Sequence, residues 1–203
     1  MRFPYPCPVC KCLSLTDSGL CDHCAERLFR LREPVSRRIG GLRIQSLFSW
    51  RKDGPKALRW LVRSLKGVED PDLWWPQALW MLKEWKEQDE HHLPRVLVPV
   101  PSTHANHALG LARAIAKATG AEVVQALRVC ERRQQKKLSR RERHQTRFTR
   151  VTCKEFTDVV IVDDIVTTGA TAQAAYKALG RPKNCEVWCL MDRRPCGNDA
   201  PLI

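Results

Sequence analysis

The run Val159-Val160-Ile161-Val162-Asp163-Asp164-Ile165-Val166-Thr167-Thr168-Gly169-Ala170-Thr171 constrains this chain more than any other stretch. Four β-branched apolar residues in a row predict a strand buried on both faces, as inside a parallel sheet. Two acids follow where such a strand should surface. Hydroxyls, a glycine and an Ala-rich run come next, and the last of these predicts a helix. A strand that passes through a Thr/Gly turn into a helix N-terminus suits phosphate. Its successive backbone N–H groups make a concave nest, and the helix dipole adds partial positive charge. Thr167, Thr168 and Thr171 can add hydroxyl donors. Gly169 permits a positive φ and lets the backbone approach an anion without a Cβ clash.

A phosphate alone would not favour Asp163 and Asp164 beside it, because like charges repel. Acids suit a ligand that also presents hydroxyl donors or a bound Mg²⁺. A 5-phosphorylated ribose carrying a metal-bound pyrophosphate presents all three. The stretch resembles the phosphoribosyl-diphosphate (PRPP) motif of the type I phosphoribosyltransferases: an apolar run, two acids, then Thr-Thr-Gly-x-Thr. The resemblance implies a catalytic pair, Asp163 and Asp164, on the ribose hydroxyls, directly or through waters of Mg²⁺. It implies that Thr167, Thr168, Gly169, Ala170 and Thr171 bind the 5-phosphate.

A chain of 203 residues is expected to form one main domain with a small appendage. No apolar run approaches the roughly 18–20 residues of a membrane span. Met1-Arg2-Phe3-Pro4-Tyr5-Pro6 lacks the apolar stretch of a signal peptide, so a cytoplasmic protein without membrane insertion is expected. Ten cysteines in such a chain argue for thiols or metal rather than a disulfide framework. Cys7-x2-Cys10 and Cys21-x2-Cys24 are paired tight turns, each able to present two thiolates to one side. Together they predict a tetrahedral, structural Zn²⁺ site, with no position left open for substrate. Cys12 and His23 stand near enough in sequence to replace one of the four.

The expected elements alternate. A short helix over Leu20–Leu31 ends at Pro34, and one or two strands lie between Arg43 and Trp50. A helix begins after Asp53-Gly54-Pro55 and closes at Lys66-Gly67. A Trp-rich helix spans Leu73–Gln88. A strand over Arg95–Val98 leads into Pro99-Val100-Pro101 and a loop from Ser102 to Asn106. A helix over His107–Thr119, a strand over Ala121–Gln125, the motif strand Val159–Val162 with its helix over Thr171–Leu179, and a strand over Cys185–Leu190 follow. Met191–Ile203 is expected to be a tail. This pattern predicts an α/β fold, a doubly wound parallel sheet of the type I phosphoribosyltransferase kind with a small zinc-binding element and a helical hood. The expected divisions are a four-cysteine zinc-finger element over 1–34, a hood or connecting segment over 35–90 and the transferase-like domain over 91–203.

Net charge is +13, which points to an anionic partner. Between Arg128 and Arg150 the chain carries ten Lys/Arg against two acids, so this stretch supplies most of the excess. Arg132, Arg133, Lys136, Lys137, Arg140, Arg141 and Arg143 are its candidate lid or nucleic-acid contacts.

The cysteine pairs, the Gly54-Pro55…Leu65-Lys66 helix, the Val98-Pro99-Val100-Pro101 strand end and the PRPP motif together resemble the ComF family. Its members pair a zinc finger with a phosphoribosyltransferase domain. Gln135-x2-Leu138 and Glu142-Arg143 resemble that family's mobile loop. The resemblance implies PRPP as partner, Mg²⁺ with it, and Ser102 and Thr103 facing the pyrophosphate. It also implies a link to natural competence, the handling of incoming single-stranded DNA, and DNA-uptake partners. The family commonly carries Arg-Gly-Phe-Asn-Gln after Pro-Val-Pro; here the chain reads Ser102-Thr103-His104-Ala105-Asn106-His107, with no Lys or Arg from 96 to 112. Two classes of function stand side by side: a phosphoribosyltransferase, and a non-catalytic nucleic-acid-binding module that takes PRPP or a nucleotide as effector.

Overall fold

The computed structural model describes residues 5–7, 9–14, 20–51, 54–88, 93–102, 106–130 and 148–193. Its elements, in chain order, are β1 (Tyr5–Pro6), β2 (Leu13–Ser14), α1 (Asp22–Arg30), β3 (Val35–Ile39) and β4 (Leu42–Trp50). Then come α2 (Lys56–Leu65), α3 (Pro71–Gln88), β5 (Val96–Pro99), α4 (His107–Thr119) and β6 (Glu122–Val123). The last are β7 (Leu127–Val129), β8 (Phe148–Arg150), β9 (Asp158–Val166), α5 (Ala170–Ala178) and β10 (Asn184–Arg193).

The apolar run at 159–162 makes β9 a central strand of a six-stranded sheet ordered β3-β4-β10-β9-β5-β6. Every pairing is parallel except β3 with β4. The buried residues of β9 alternate between two cores. Val160 and Val162 pack under Leu61, Trp74, Met81, Leu111 and Ile115 of α2, α3 and α4. Val159 and Ile161 pack under Ala172 and Ala175 of α5. With helices on both faces, strands apolar throughout are the stable solution, and the α/β, mostly parallel architecture read from the sequence is the one observed.

From β5 the chain returns to β6 on one side, while β9 lies on the other. The order therefore reverses between β5 and β9, and the crevice beyond their carboxyl ends is where open parallel sheets bind ligands. Pro99 pairs with Val162, and the Val100 N–H donates to the Val162 carbonyl at 2.9 Å, so the two strands leave the sheet side by side.

Several expectations change. The motif strand does not surface at the acids: it runs on to Val166, held by β10 through Cys189↔Asp163 and Asp192↔Val166. β10 likewise extends to Arg193, so Met191–Arg193 is strand rather than tail. The expected strand at 121–125 shortens to Glu122–Val123. Strand β3 was not expected. It pairs with β4 through a turn at Gly40 and Gly41, whose φ values of 54° and 87° are those of a tight hairpin turn. Both strands of this hairpin, within the 35–90 segment, belong to the main sheet.

The Trp-rich helix turns Trp74 and Trp85 inward at helical spacing with Ala78 and Met81, leaves Trp75 and Trp80 half-buried, and sets Trp85 4.2 Å from Trp188 of β10 with the rings tilted by 40°. The cysteine element docks on the same helix. Cys7, Leu20, Cys24 and Leu28 share its core, Phe29 meets Trp80 edge-on at 5.8 Å, and Arg32 pairs with Glu84 at 3.0 Å. Among the described residues no helix is long and apolar enough to cross a membrane.

Candidate functional site

The site is built where β9 runs out. Asp163 and Asp164 are consecutive on a strand, so their side chains leave on opposite faces of the sheet. Each carboxylate is first tied locally: Asp163 Oδ1 accepts the Asp164 N–H at 2.9 Å, and Asp164 Oδ1 accepts the Ile165 N–H at 2.8 Å. Asp163 is 7% exposed. Its burial, and then the negative Asp164 beside it, hold its carboxyl well above the ordinary carboxylate range. Asp164 is half-buried and reaches the α4 side, where its Oδ2 lies 3.4 Å from His107 Nε2. His107 Nδ1 in turn accepts the Gly67 N–H at 3.3 Å, which leaves Nε2 to carry the proton that points at Asp164.

Thr167, Thr168 and Gly169 then form the turn, and α5 begins at Ala170. Gly169 takes φ 76°, a left-handed conformation costly for any residue with a Cβ. Space gives a second reason for glycine here: a Cβ would stand 2.6 Å from Ile39 Cδ1. Thr167 and Thr168 are exposed, Gly169 is buried and Thr171 is half-buried. Thr168 Oγ1 accepts the Ala170 N–H at 3.4 Å, a weak local tie across the helix start. The start of α5 carries no acidic residue, so nothing on the helix itself opposes an anion.

The turn is braced by the hairpin strand β3, which the sequence did not place here. Arg37 clasps Asp192 of β10 with two hydrogen bonds, Nε to Oδ2 at 2.6 Å and Nη2 to Oδ1 at 2.7 Å. Its Nη2 also donates to the Thr167 carbonyl at 2.7 Å. Asp192 is 1% exposed, and a charge so deep requires such a partner. Gln173 Nε2 donates to the Ile39 carbonyl at 2.5 Å, tying α5 to the same strand. His107, Arg37, Asp192 and Gln173 carry no local motif, and only the fold brings them to the turn.

Ser102 is exposed at the end of the segment leaving β5. Thr103 lies outside the described residues, as do Arg132, Arg133, Lys136, Lys137, Arg140, Arg141 and Arg143. What is described of the basic segment is its base. β7 and β8 pair antiparallel, Leu127 with Arg150 and Val129 with Phe148, and so bring its two ends together.

The four cysteines converge: the Sγ atoms of Cys7, Cys10, Cys21 and Cys24 all lie within 4.8 Å of one another and can hold a metal ion. Thiolates about 2.3 Å from a central zinc would stand roughly 3.8 Å apart, so the donor set fits a tetrahedral thiolate site. Cys21 caps α1, its Sγ accepting the Cys24 N–H at 3.4 Å. Lys11, at φ 66°, turns the chain back so that the Cys7 N–H reaches the Cys12 carbonyl at 2.7 Å. Backbone and side-chain hydrogen bonds from Cys12 bring the Cys10 thiol down to about 6. Cys12 itself is pushed up to about 12, chiefly by its bond with Cys10, whose Sγ is 3.1 Å away. His23 is exposed on α1 and outside the converging set.

No family model and no curated protein matches this chain. Among solved structures it is similar to an adenine phosphoribosyltransferase, with TM-score 0.45 and 16% identity over 83% of this chain and 89% of that one. It is also similar to the adenine phosphoribosyltransferase of Saccharomyces cerevisiae in complex with an imino-altritol bisphosphate and adenine, with TM-score 0.43 and 16% identity over 84% and 88%. The hypoxanthine phosphoribosyl transferase of Trypanosoma cruzi is similar with TM-score 0.41 and 21% identity over 68% and 71%.

Proposed function

We propose that this chain binds PRPP with Mg²⁺ in the crevice between β5 and β9 and transfers its phosphoribosyl group to a nitrogen nucleophile. The observation that carries the reading is the Asp163–Thr171 run at the carboxyl end of a buried parallel strand, beside the point where strand order reverses, with a left-handed Gly169 opening α5. The turn amides and the hydroxyls of Thr167, Thr168 and Thr171 hold the 5-phosphate. Asp163 and Asp164 take the ribose hydroxyls, directly or through waters of the metal ion. Ser102 and Thr103 face the pyrophosphate. In the reaction the bond from the ribose C1 to pyrophosphate breaks as the bond to nitrogen forms, and negative charge grows on the leaving group. Bound Mg²⁺ supplies the main neutralisation of that charge.

The cysteine cluster holds a structural Zn²⁺, and the whole is a cytoplasmic ComF-like protein. The ComF resemblance extends the reading to the handling of incoming single-stranded DNA with partners of the uptake machinery. Titration calorimetry of the metal-replete protein with PRPP and Mg²⁺, repeated on Asp164→Asn, tests the site. Binding that is lost in the variant supports the assignment, and equal binding in both removes Asp164 from it. No binding in either overturns the transferase reading.

A second reading, a non-catalytic nucleic-acid module, is favoured by one surface. Lys56, Arg59, Trp60 and Arg63 share the exposed face of α2, with exposed Lys66 just past its end, while Ala57, Leu58, Leu61 and Leu65 are buried. Trp60 is 50% exposed, and among the described residues none of the four cations has an ion-pair partner. An unpaired basic face around an aromatic ring suits a single strand, by counterion release and base stacking. Replacing Arg59 and Arg63 by Ser and Trp60 by Ala should then weaken binding of a fluorescent oligonucleotide and flatten its salt dependence. Unchanged binding would remove this face from the account.

A further inference from the structure

The phosphate turn is not held by its own strand and helix alone. Its Thr167 carbonyl is gripped by Arg37, which comes from the hairpin strand β3, 130 residues away in sequence. We infer that Arg37 is a positioning residue that aims the Thr168 amide at the ligand's 5-phosphate. The inference rests on the PRPP reading of the turn.

The Thr167 carbonyl and the Thr168 N–H belong to one peptide unit, and in a trans peptide they point in opposite directions. No peptide bond of the described chain is cis. A donor that fixes the carbonyl therefore fixes the direction of the amide on the other side. That donor is itself fixed. The guanidinium spans both oxygens of Asp192, at 2.6 and 2.7 Å, and the paired fork cannot rotate without breaking both bonds. Asp192 is anchored in β10, where it pairs with Val166, the residue just before Thr167. Arg37, Asp192, Val166 and Thr167 thus form a closed loop of contacts.

The same strand clamps the turn a second time. Ile39 packs against Gly169, and the Ile39 carbonyl takes the Gln173 amide from the first turns of α5. Lysine keeps the charge opposite Asp192 but presents a single ammonium. It cannot match both carboxylate oxygens and the Thr167 carbonyl in one plane. Arg37→Lys is therefore the informative variant, because it does not leave Asp192 without a cation.

Two measurements on the full, metal-replete chain separate the brace from the ligand reading. The first is amide hydrogen exchange without ligand. Exchange should quicken in Arg37→Lys at Gln173, whose N–H closes the turn by donating to the Gly169 carbonyl at 2.9 Å, while the β9 amides of Val160 and Ile161 keep their protection. Unchanged exchange at the turn, or equal loss along β9, overturns the brace. The second is calorimetry with ribose 5-phosphate and, separately, with Mg²⁺ pyrophosphate. Loss of one hydrogen bond to a charged oxygen should weaken ribose 5-phosphate binding by about 10- to 100-fold. Pyrophosphate binding should stay within about twofold, which a general loss of structure would not allow. Equal weakening of both ligands overturns the positioning role. If wild-type protein binds neither ribose 5-phosphate nor PRPP, the phosphate reading fails, and the exchange result still decides the brace by itself.

Discussion

His107 Nε2 stands 3.4 Å from Asp164 Oδ2 while its Nδ1 accepts the backbone N–H of Gly67 at 3.3 Å. The imidazole thus links the end of α2 to the second acid of the motif, and the Gly67 bond selects which nitrogen carries the proton. Replacing His107 by Phe hands the exposed Gly67 N–H to water and frees the Asp164 carboxylate to turn. The loss in stability should be about 0.5–1.5 kcal/mol, with PRPP·Mg²⁺ affinity falling about tenfold. Gln, which keeps a donor, should recover part of the affinity. A His107→Phe protein that binds PRPP as tightly as wild type would show that Asp164 needs no such tether.

Asp163 gives a prediction in pH. Its carboxyl is held well above the ordinary carboxylate range by burial and by Asp164, so folding favours the protonated form. The stability this contributes is fully present below the unfolded value and is lost as pH rises towards the folded value. Asn keeps the shape without the ionisation. Melting curves should show Asp163→Asn gaining on wild type steadily from about pH 4 towards neutrality. A constant difference between the two across that range would mean that Asp163 ionises in the fold as easily as in the unfolded chain.

The strand, the Thr turn with its positive-φ Gly169 and the helix after it were legible because one stretch writes all three: a β-branched apolar run, hydroxyls with a glycine, then an Ala-rich segment. The paired cysteines were legible for the same reason. The extension of β9 through Asp163 and Asp164 was not, because acids ordinarily end a buried strand. What rescues them is their bonding to the next backbone N–H and the register with β10, a strand that follows the motif. Asp192 sat in a stretch that reads as tail, and the Arg37 that matches its buried charge lies 155 residues away. Strand β3 was hidden because Val35-Ser36-Arg37-Arg38-Ile39 is a short, charged edge strand, the composition natural edges use to stay unpaired. The buried side of α2 was legible, because Ala57, Leu58, Leu61 and Leu65 recur at helical spacing and all four are buried.

Gly110 offers a test of packing behind the site. In an exposed helix Gly→Ala stabilises by roughly 1 kcal/mol. Here a Cβ would meet Trp74 Nε1 at 2.5 Å and the Val68 carbonyl at 2.6 Å, the two partners of a 2.9 Å hydrogen bond. Neither can yield without parting α4 from the segment that carries Gly67 to His107. Gly110→Ala should therefore destabilise by about 1–3 kcal/mol despite its better helix propensity. Thermal denaturation decides the sign, and a variant more stable than wild type would mean that α3 and α4 pack less closely than described.

A metal held by the four cysteines would sit against the core rather than at the site. Cys7 and Cys24 are buried beside Leu20 and Leu28, and the same cluster contains Trp74, Trp85 and Trp188. Among the described residues few apolar side chains hold the cysteine element otherwise, and a structural zinc typically supplies roughly 10–16 kcal/mol of apparent folding energy. Chelation should therefore disorder α1 and expose Trp80, which Phe29 covers. The β9–β10 amides, in the middle of the main sheet, should remain protected from exchange. Cys21→Ser should lose the metal and reproduce that state. Cys12→Ser should retain it, since Cys12 lies outside the converging four. Metal content by elemental analysis, read with tryptophan emission, distinguishes the two variants. Loss of metal from Cys12→Ser with retention in Cys21→Ser would exchange the two as ligands.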